Sequence, residues 1–165
     1  MSHDGQGRLL HMLRQRGLMS SSTHKVLSGF MTKWNVDIFR AVIETHLIDE
    51  NQMADLLANE LKLPRLSRVR LLTVPEDVLI TIPFELALDL AVFPFEISEN
   101  GRLHVAVADP SDSTTISKIE AVTNRSLEIF VSERSEIIAA VQRQYPLSLQ
   151  VPSLLNVGKR DGKQT

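Results

Sequence analysis

The sequence predicts an α+β chain: a helical N-terminal subdomain made of two helix-turn-helix units, then a small, mostly antiparallel sheet with helices on one face. Three observations carry this. Apolar residues recur at helical spacing as far as Leu63 and are interrupted by capping residues, not by strand-forming runs. Two β-rich runs, AVFPFEIS and RLHVAVA, flank Asn100-Gly101, the strongest short hairpin signal a sequence can carry. From there to Tyr145 helix and strand signals alternate. The expected divisions are residues 1–64 (helical), 65–146 (α+β) and 147–165 (a flexible tail or linker).

In the first unit, Leu9, Leu10 and Leu13 share one helical stripe, and Val26, Leu27, Phe30, Met31 and Trp34 share another. Gly17 suits a left-handed C-terminal cap between them, and one of Ser20 to Ser22 can cap the second helix. In the second unit, Ile38, Ala41 and Val42 form a stripe ending near His46. Asp49-x-x-Gln52 is then a capping-box signature before Met53, Leu56, Leu57 and Leu61. Pro64 ends the unit. The two stretches, RLLHMLRQRGLMSSSTHKVLSGFM and DIFRAVIETHLIDENQMADLLANE, read as a degenerate internal repeat.

The texture changes at Arg65. LSRVRLL alternates like a short strand, and Thr73, Pro75 and Glu76 mark a helix start. Pro83 can open a short helix to Leu90, ahead of the hairpin. Asp109-Pro110 closes the second hairpin strand, Ser111 or Asp112 caps a helix bearing Ile116, Ile119 and Val122, and Asn124 can end it. SLEIFV is then a strand, and Ile137, Ile138, Val141 and Tyr145 lie along a last helix.

Hydrophobic residues make up 43% of the 165-residue chain, enough for a packed core. The 18 Lys and Arg nearly balance the 20 Asp and Glu, and no basic run marks a nucleic-acid footprint. Residues 65 to 146 are acidic, with eight Lys and Arg against twelve Asp and Glu, which suits an acidic docking surface. The absence of cysteine removes disulfide scaffolds, thiolate zinc sites and cysteine nucleophiles, and fits a reducing cytoplasmic setting. No window approaches the length a spanning helix needs, so membrane association is expected through a partner and without direct insertion.

Catalytic patterns fail in turn. The tail run from Gly158 to Lys163 lacks the glycine spacing, the hydroxyl after lysine and the following helix of a phosphate-binding loop. The five histidines have no metal-ligand spacing, no G-x-S-x-G elbow exists, and Asp109 reads as a strand end turning into a capped helix. No enzyme and no metal are expected. Glu44, Asp49, Glu50, Asp55 and Glu60 give the second unit an acidic polar face, either solvated or used against a basic partner.

The stretch from Pro83 to Pro110, PFELALDLAVFPFEISENGRLHVAVADP, resembles "PEELARRYxVLPL…xxLxVAMADP" in the N-terminal (MshE-type) domains of type II secretion and type IV pilus assembly ATPases. The helical part, VIETHLIDENQMADLLANELKLPRL, is similar to that family's "LxxxGLIxxxQLxxALAxQLGLPxV", with Gln52 and Leu63-Pro64 in place. The resemblance runs from Arg8 to Tyr145 and contains no motor motif. It implies a non-catalytic adaptor or regulatory domain that docks to the cytoplasmic part of an inner-membrane platform protein or to a motor ATPase. It also implies an alternative, since some members bind cyclic di-GMP through two copies of RLGxxLVxxGLIxxxxLxxxLxxQ. Here the first copy keeps Arg8, Leu9, Leu13, Gly17 and Leu18, the expected site residues under that alternative, but has Leu10 for glycine and Met31 for the final Gln. The second copy departs further, with Asp37 for Arg, Phe39 for Gly, His46 for the turn glycine and Glu60 for Gln. A carboxylate at the arginine position is electrostatically wrong for an anionic ligand.

Overall fold

The computed structural model describes residues 3–150; the tail beyond, with the Gly158 to Lys163 run, lies outside the described residues. The helical part consists of α1 (His3–Gln15), α2 (Ser21–Trp34), α3 (Ile38–Glu44) and α4 (Glu50–Leu61). The internal repeat is a repeat of backbone hydrogen bonds. Gly17 and His46 both stand in the left-handed region, at φ 69° and 54°. Behind them Leu18 N–H donates to Leu13 O and Leu47 N–H to Val42 O, the same six-to-one closure. Ser20 and Asp49 then cap the next helices, each accepting from the N–H three residues on. The capping box is complete, for Gln52 Oε1 accepts in return from Asp49 N–H at 3.2 Å.

LSRVRLL does not form a strand. Pairing stops after Arg65, which bridges Val131 in parallel, because Arg68 turns left-handed at φ 56° and starts a single 3-10 turn at Val69–Leu71. Two short helices follow, α5 (Glu76–Leu79) and α6 (Phe84–Leu90), opened by Pro75 and Pro83, whose missing N–H costs nothing at a helix start.

The sheet orders β1 (Val92–Ile97), β2 (Leu103–Val107) and β3 (Leu127–Val131) side by side. β1 and β2 form the expected antiparallel hairpin, with Gly101 at φ 80° in the connection. β2 and β3 run parallel, so the sheet is mixed. The crossover makes it so, because α7 (Ser113–Thr123) returns the chain to its starting end before β3 begins. Pro94 stands on β1, an edge strand that tolerates a missing donor, and the register slips at Phe95. α8 (Arg134–Gln144) packs on β1 and β2, α4 reaches β3, and the last turn, α9 (Leu147–Gln150), occupies the start of the expected tail.

One apolar cluster runs through both parts, from Leu9, Leu13, Leu27, Met53 and Leu57 to Phe93, Leu103, Ile119 and Ile137. Tyr145 is buried against Phe84 and its hydroxyl donates to Ile82 O at 2.9 Å. Among the described residues, six other than glycine hold positive φ: Asn35, His46, Lys62, Arg68, Ala91 and Asn124.

Candidate functional site

The joint between the helical and α+β parts is rich in partly buried polar groups. Arg65 sits at its centre, with its side chain 20% exposed. It donates to Asp55 Oδ1 at 3.1 Å, Asn51 Oδ1 at 3.1 Å and Glu133 Oε1 at 2.6 Å, and to the carbonyls of Leu66 and Val131. A guanidinium suits this position because its planar fork serves several acceptors at once. Beside it Glu50 accepts from Ser135 N–H at 2.9 Å, which caps α8 from another part of the chain, since Glu133 at the N-cap makes no side-chain cap bond of its own.

The acidic face of the second unit is therefore used inside the molecule. Glu44 pairs with Arg40, Asp49 caps its own helix, Glu50 caps α8, Asp55 holds Arg65, and Glu60 meets Arg16 at 2.5 Å.

Below the joint a cleft of about 250 Å³ opens between the starts of α3, α7 and α8 and the ends of α6 and β2. Asp37, Arg40, Asp109, Asp112, Lys118 and Arg134 line it. Asp109 accepts from Ser111 N–H at 3.1 Å and from its hydroxyl. Burial nevertheless pushes its carboxyl up to about 6, because the two bonds from Ser111 offset only part of the desolvation. Arg134 is pulled below its ordinary value, first by burial and then by Arg40 nearby. Gly5 of α1 closes in above, where a Cβ would lie 3.2 Å from Asp112 Cα. A perturbed carboxyl in a cleft is a functional-site signal, but this cleft is smaller than the usual small-molecule pocket and its carboxylates bond to backbone and hydroxyl groups of their own turns. Among the described residues no group of three or more His, Asp or Glu is placed to hold a metal ion.

The five residues of the first-unit motif are not gathered at one surface. Leu9 and Leu13 are fully buried in the core, Leu18 is half-buried, and Arg8 and Gly17 are exposed. Sequence reasoning missed the joint. Asp109 was visible only as a turn residue, and nothing in the order of the chain brings Arg65 to Glu133 or Asp37 to Asp109.

The architecture is thus a mixed three-stranded sheet joined through an ionic seam to two capped helix-turn-helix units. The sequence model of the MshEN domain matches residues 61–151, and the chain belongs to that family. It is 26% identical over 157 residues to the type IV pilus assembly ATPase PilB of Thermus thermophilus, with 90% of this chain and 17% of that protein aligned. To PilB of Myxococcus xanthus it is 26% identical over 140 residues, with 84% and 24% aligned. The chain thus spans less than a quarter of the length of the curated relatives it matches. Two solved structures share the fold. The N-terminal domain of XpsE superposes with a TM-score of 0.71 at 23% identity, covering 88% of this chain and 99% of that one. A structure of MshE with cdg superposes at 0.64 and 18% identity, covering 88% and 100%. No described helix is long and apolar enough to cross a membrane.

Proposed function

We propose that this chain is a non-catalytic docking and regulatory domain of a bacterial type IV pilus, type II secretion or related motility machine. It acts in the cytoplasm, against the cytoplasmic part of an inner-membrane platform protein or against a motor ATPase. The family match over residues 61–151 carries this reading, and the XpsE domain, which this fold covers almost end to end, supports it. Co-purification of the full chain with each candidate tests it. A stable complex with either partner is the expected result; no complex with either, at micromolar concentrations and low salt, overturns it.

A second reading, a cyclic di-GMP receptor, is favoured by the MshE structure with cdg and by the surviving Arg8, Gly17 and Leu18. Under it Arg8 meets a phosphate or a guanine edge, since its side chain is exposed and has no ion pair among the described residues. Calorimetric titration with cyclic di-GMP tests this. Micromolar binding lost in Arg8→Ala, with unfolding unchanged, supports it, and the absence of heat overturns it.

A further inference from the structure

Charge is segregated along this chain in a way its near-neutral total conceals. Residues 5 to 36, nearly all of the α1–α2 hairpin, carry Arg8, Arg14, Arg16, Lys25 and Lys33 and not one carboxylate. Residues 37 to 150 carry ten Lys and Arg against eighteen Asp and Glu. The molecule is therefore an electric dipole, with the hairpin at its positive end.

α2 is also poorly buried. Of its fourteen residues only Leu27 is buried, and two open grooves flank it, one against α1 and one against the turn at Thr45 to Leu47. Its outward arc brings Lys33, Val26, Phe30 and Trp34 together at helical spacing, with Lys25 beyond. Val26 is 68% exposed and Trp34 58%, although both are apolar. Lys33 Nζ lies 5.2 Å from the Trp34 ring centroid, so the aromatic face and the charge stand at the same level. Lys25 and Lys33 form no salt bridge among the described residues.

We infer that α2 is a peripheral contact for an anionic lipid surface. Lys25 and Lys33 engage the headgroups, and Val26, Phe30 and Trp34 enter the interfacial layer while the acidic remainder points away. A helix with exposed tryptophan and valine, flanked by lysines and free of carboxylates, matches the requirements of that surface: negative charge outside and a shallow apolar layer beneath. The contact goes beyond the docking reading, which reaches the membrane through a protein partner, and it stands or falls separately.

Trp34 is the chain's one tryptophan, so its fluorescence reports this face alone. The full chain is titrated with vesicles of about 70% phosphatidylcholine and about 30% phosphatidylglycerol, and with phosphatidylcholine alone, at low and moderate salt. The expected result is a blue shift and co-sedimentation with the anionic vesicles only, weakened by salt. The double variant Lys25→Glu/Lys33→Glu should lose about tenfold or more in affinity. Val26→Ser, with both lysines intact, should weaken binding and leave the salt dependence in place. Circular dichroism checks that the variants fold. The inference is overturned by the absence of binding to anionic vesicles at low salt, or by equal binding of the double variant. It is also overturned if soluble polyglutamate shifts Trp34 as effectively as the vesicles, which would assign the face to acidic proteins, or if the lipid-free chain dimerises with Trp34 shielded, which would assign it to a second copy.

Discussion

Arg65 reaches Glu133 at 2.6 Å across an interval of 68 residues, bringing the chain just past α4 to the start of α8. The same guanidinium holds α4 through Asp55 and Asn51 and two carbonyls beside β3. Removing it leaves the Glu133 carboxylate, 24% exposed, without that donor. Arg65→Ala should destabilise the fold by about 1–3 kcal/mol, and Arg65→Lys should recover only part of that, since an ammonium cannot serve the same fork. Urea unfolding of both variants checks this.

Tyr145 donates its buried hydroxyl to Ile82 O, and burial pushes its phenol well above the ordinary value. Tyr145→Phe keeps the ring packing on Phe84 and deletes only the donor to that carbonyl. A loss of about 1–2 kcal/mol is expected in thermal or urea unfolding, with no change in the circular dichroism of the native state.

Asp109 sets a pH dependence. Its folded carboxyl titrates at about 6, above the ordinary 3.8, so the native state binds this proton more tightly than the unfolded state. Its contribution to stability therefore rises as pH falls through about 6 toward about 4, and it is a penalty above that range. The difference between the chain and Asp109→Asn isolates this group from every other titrating residue. On moving from about pH 7.5 to about pH 5, the unfolding midpoint of the natural chain should gain relative to that of the variant. A constant difference between the two would refute the assignment.

Two glycines of α1 should respond in opposite ways. A Cβ on Gly7 meets nothing within 4 Å, so Gly7→Ala should stabilise the helix by about 0.5–1 kcal/mol. At Gly5 the same Cβ lies 3.2 Å from Asp112 Cα and 3.3 Å from Ser111 O, backbone atoms that cannot swing aside. Gly5→Ala should forfeit that gain, and Gly5→Val should destabilise outright by opening α1 from the α7 cap. Thermal melts of the three variants decide this.

What the sequence made legible was local. A cap among Ser20 to Ser22, the box of Asp49 and Gln52, a cap at Ser111 or Asp112, the Asn124 terminator and the turn at Gly101 each depend on residues within one or two turns of one another, and the structure realises them, with Ser20 and Asp112 as the capping residues. The family resemblance carried the fold further. What stayed hidden depends on long-range pairing. The strand expected after Arg65 shrank to one bridge because Arg68 turns left-handed, which nothing about an arginine signals in advance. The direction of β3 was fixed by the crossover and not by its own residues. The acidic face of α4 looked free because its partners, Arg16, Arg65 and Ser135, lie at distant points of the chain. The joint cleft was invisible for the same reason.

At His46 the backbone follows the path of Gly17 with a side chain in place, and Asn35, Lys62, Arg68, Ala91 and Asn124 do likewise elsewhere. Asn35 and Asn124 suit that hand, since asparagine after glycine adopts it most readily, whereas His46, Lys62, Arg68 and Ala91 carry it against their own preference. At Asn35, His46 and Lys62 the turn is closed by a six-to-one bond from the next residue's N–H, Val36 to Met31 O, Leu47 to Val42 O and Leu63 to Ala58 O, just as Leu18 closes the turn at Gly17. The same closure thus recurs with glycine, asparagine, histidine and lysine at the corner, so its shape belongs to the backbone bond and not to the residue that occupies it.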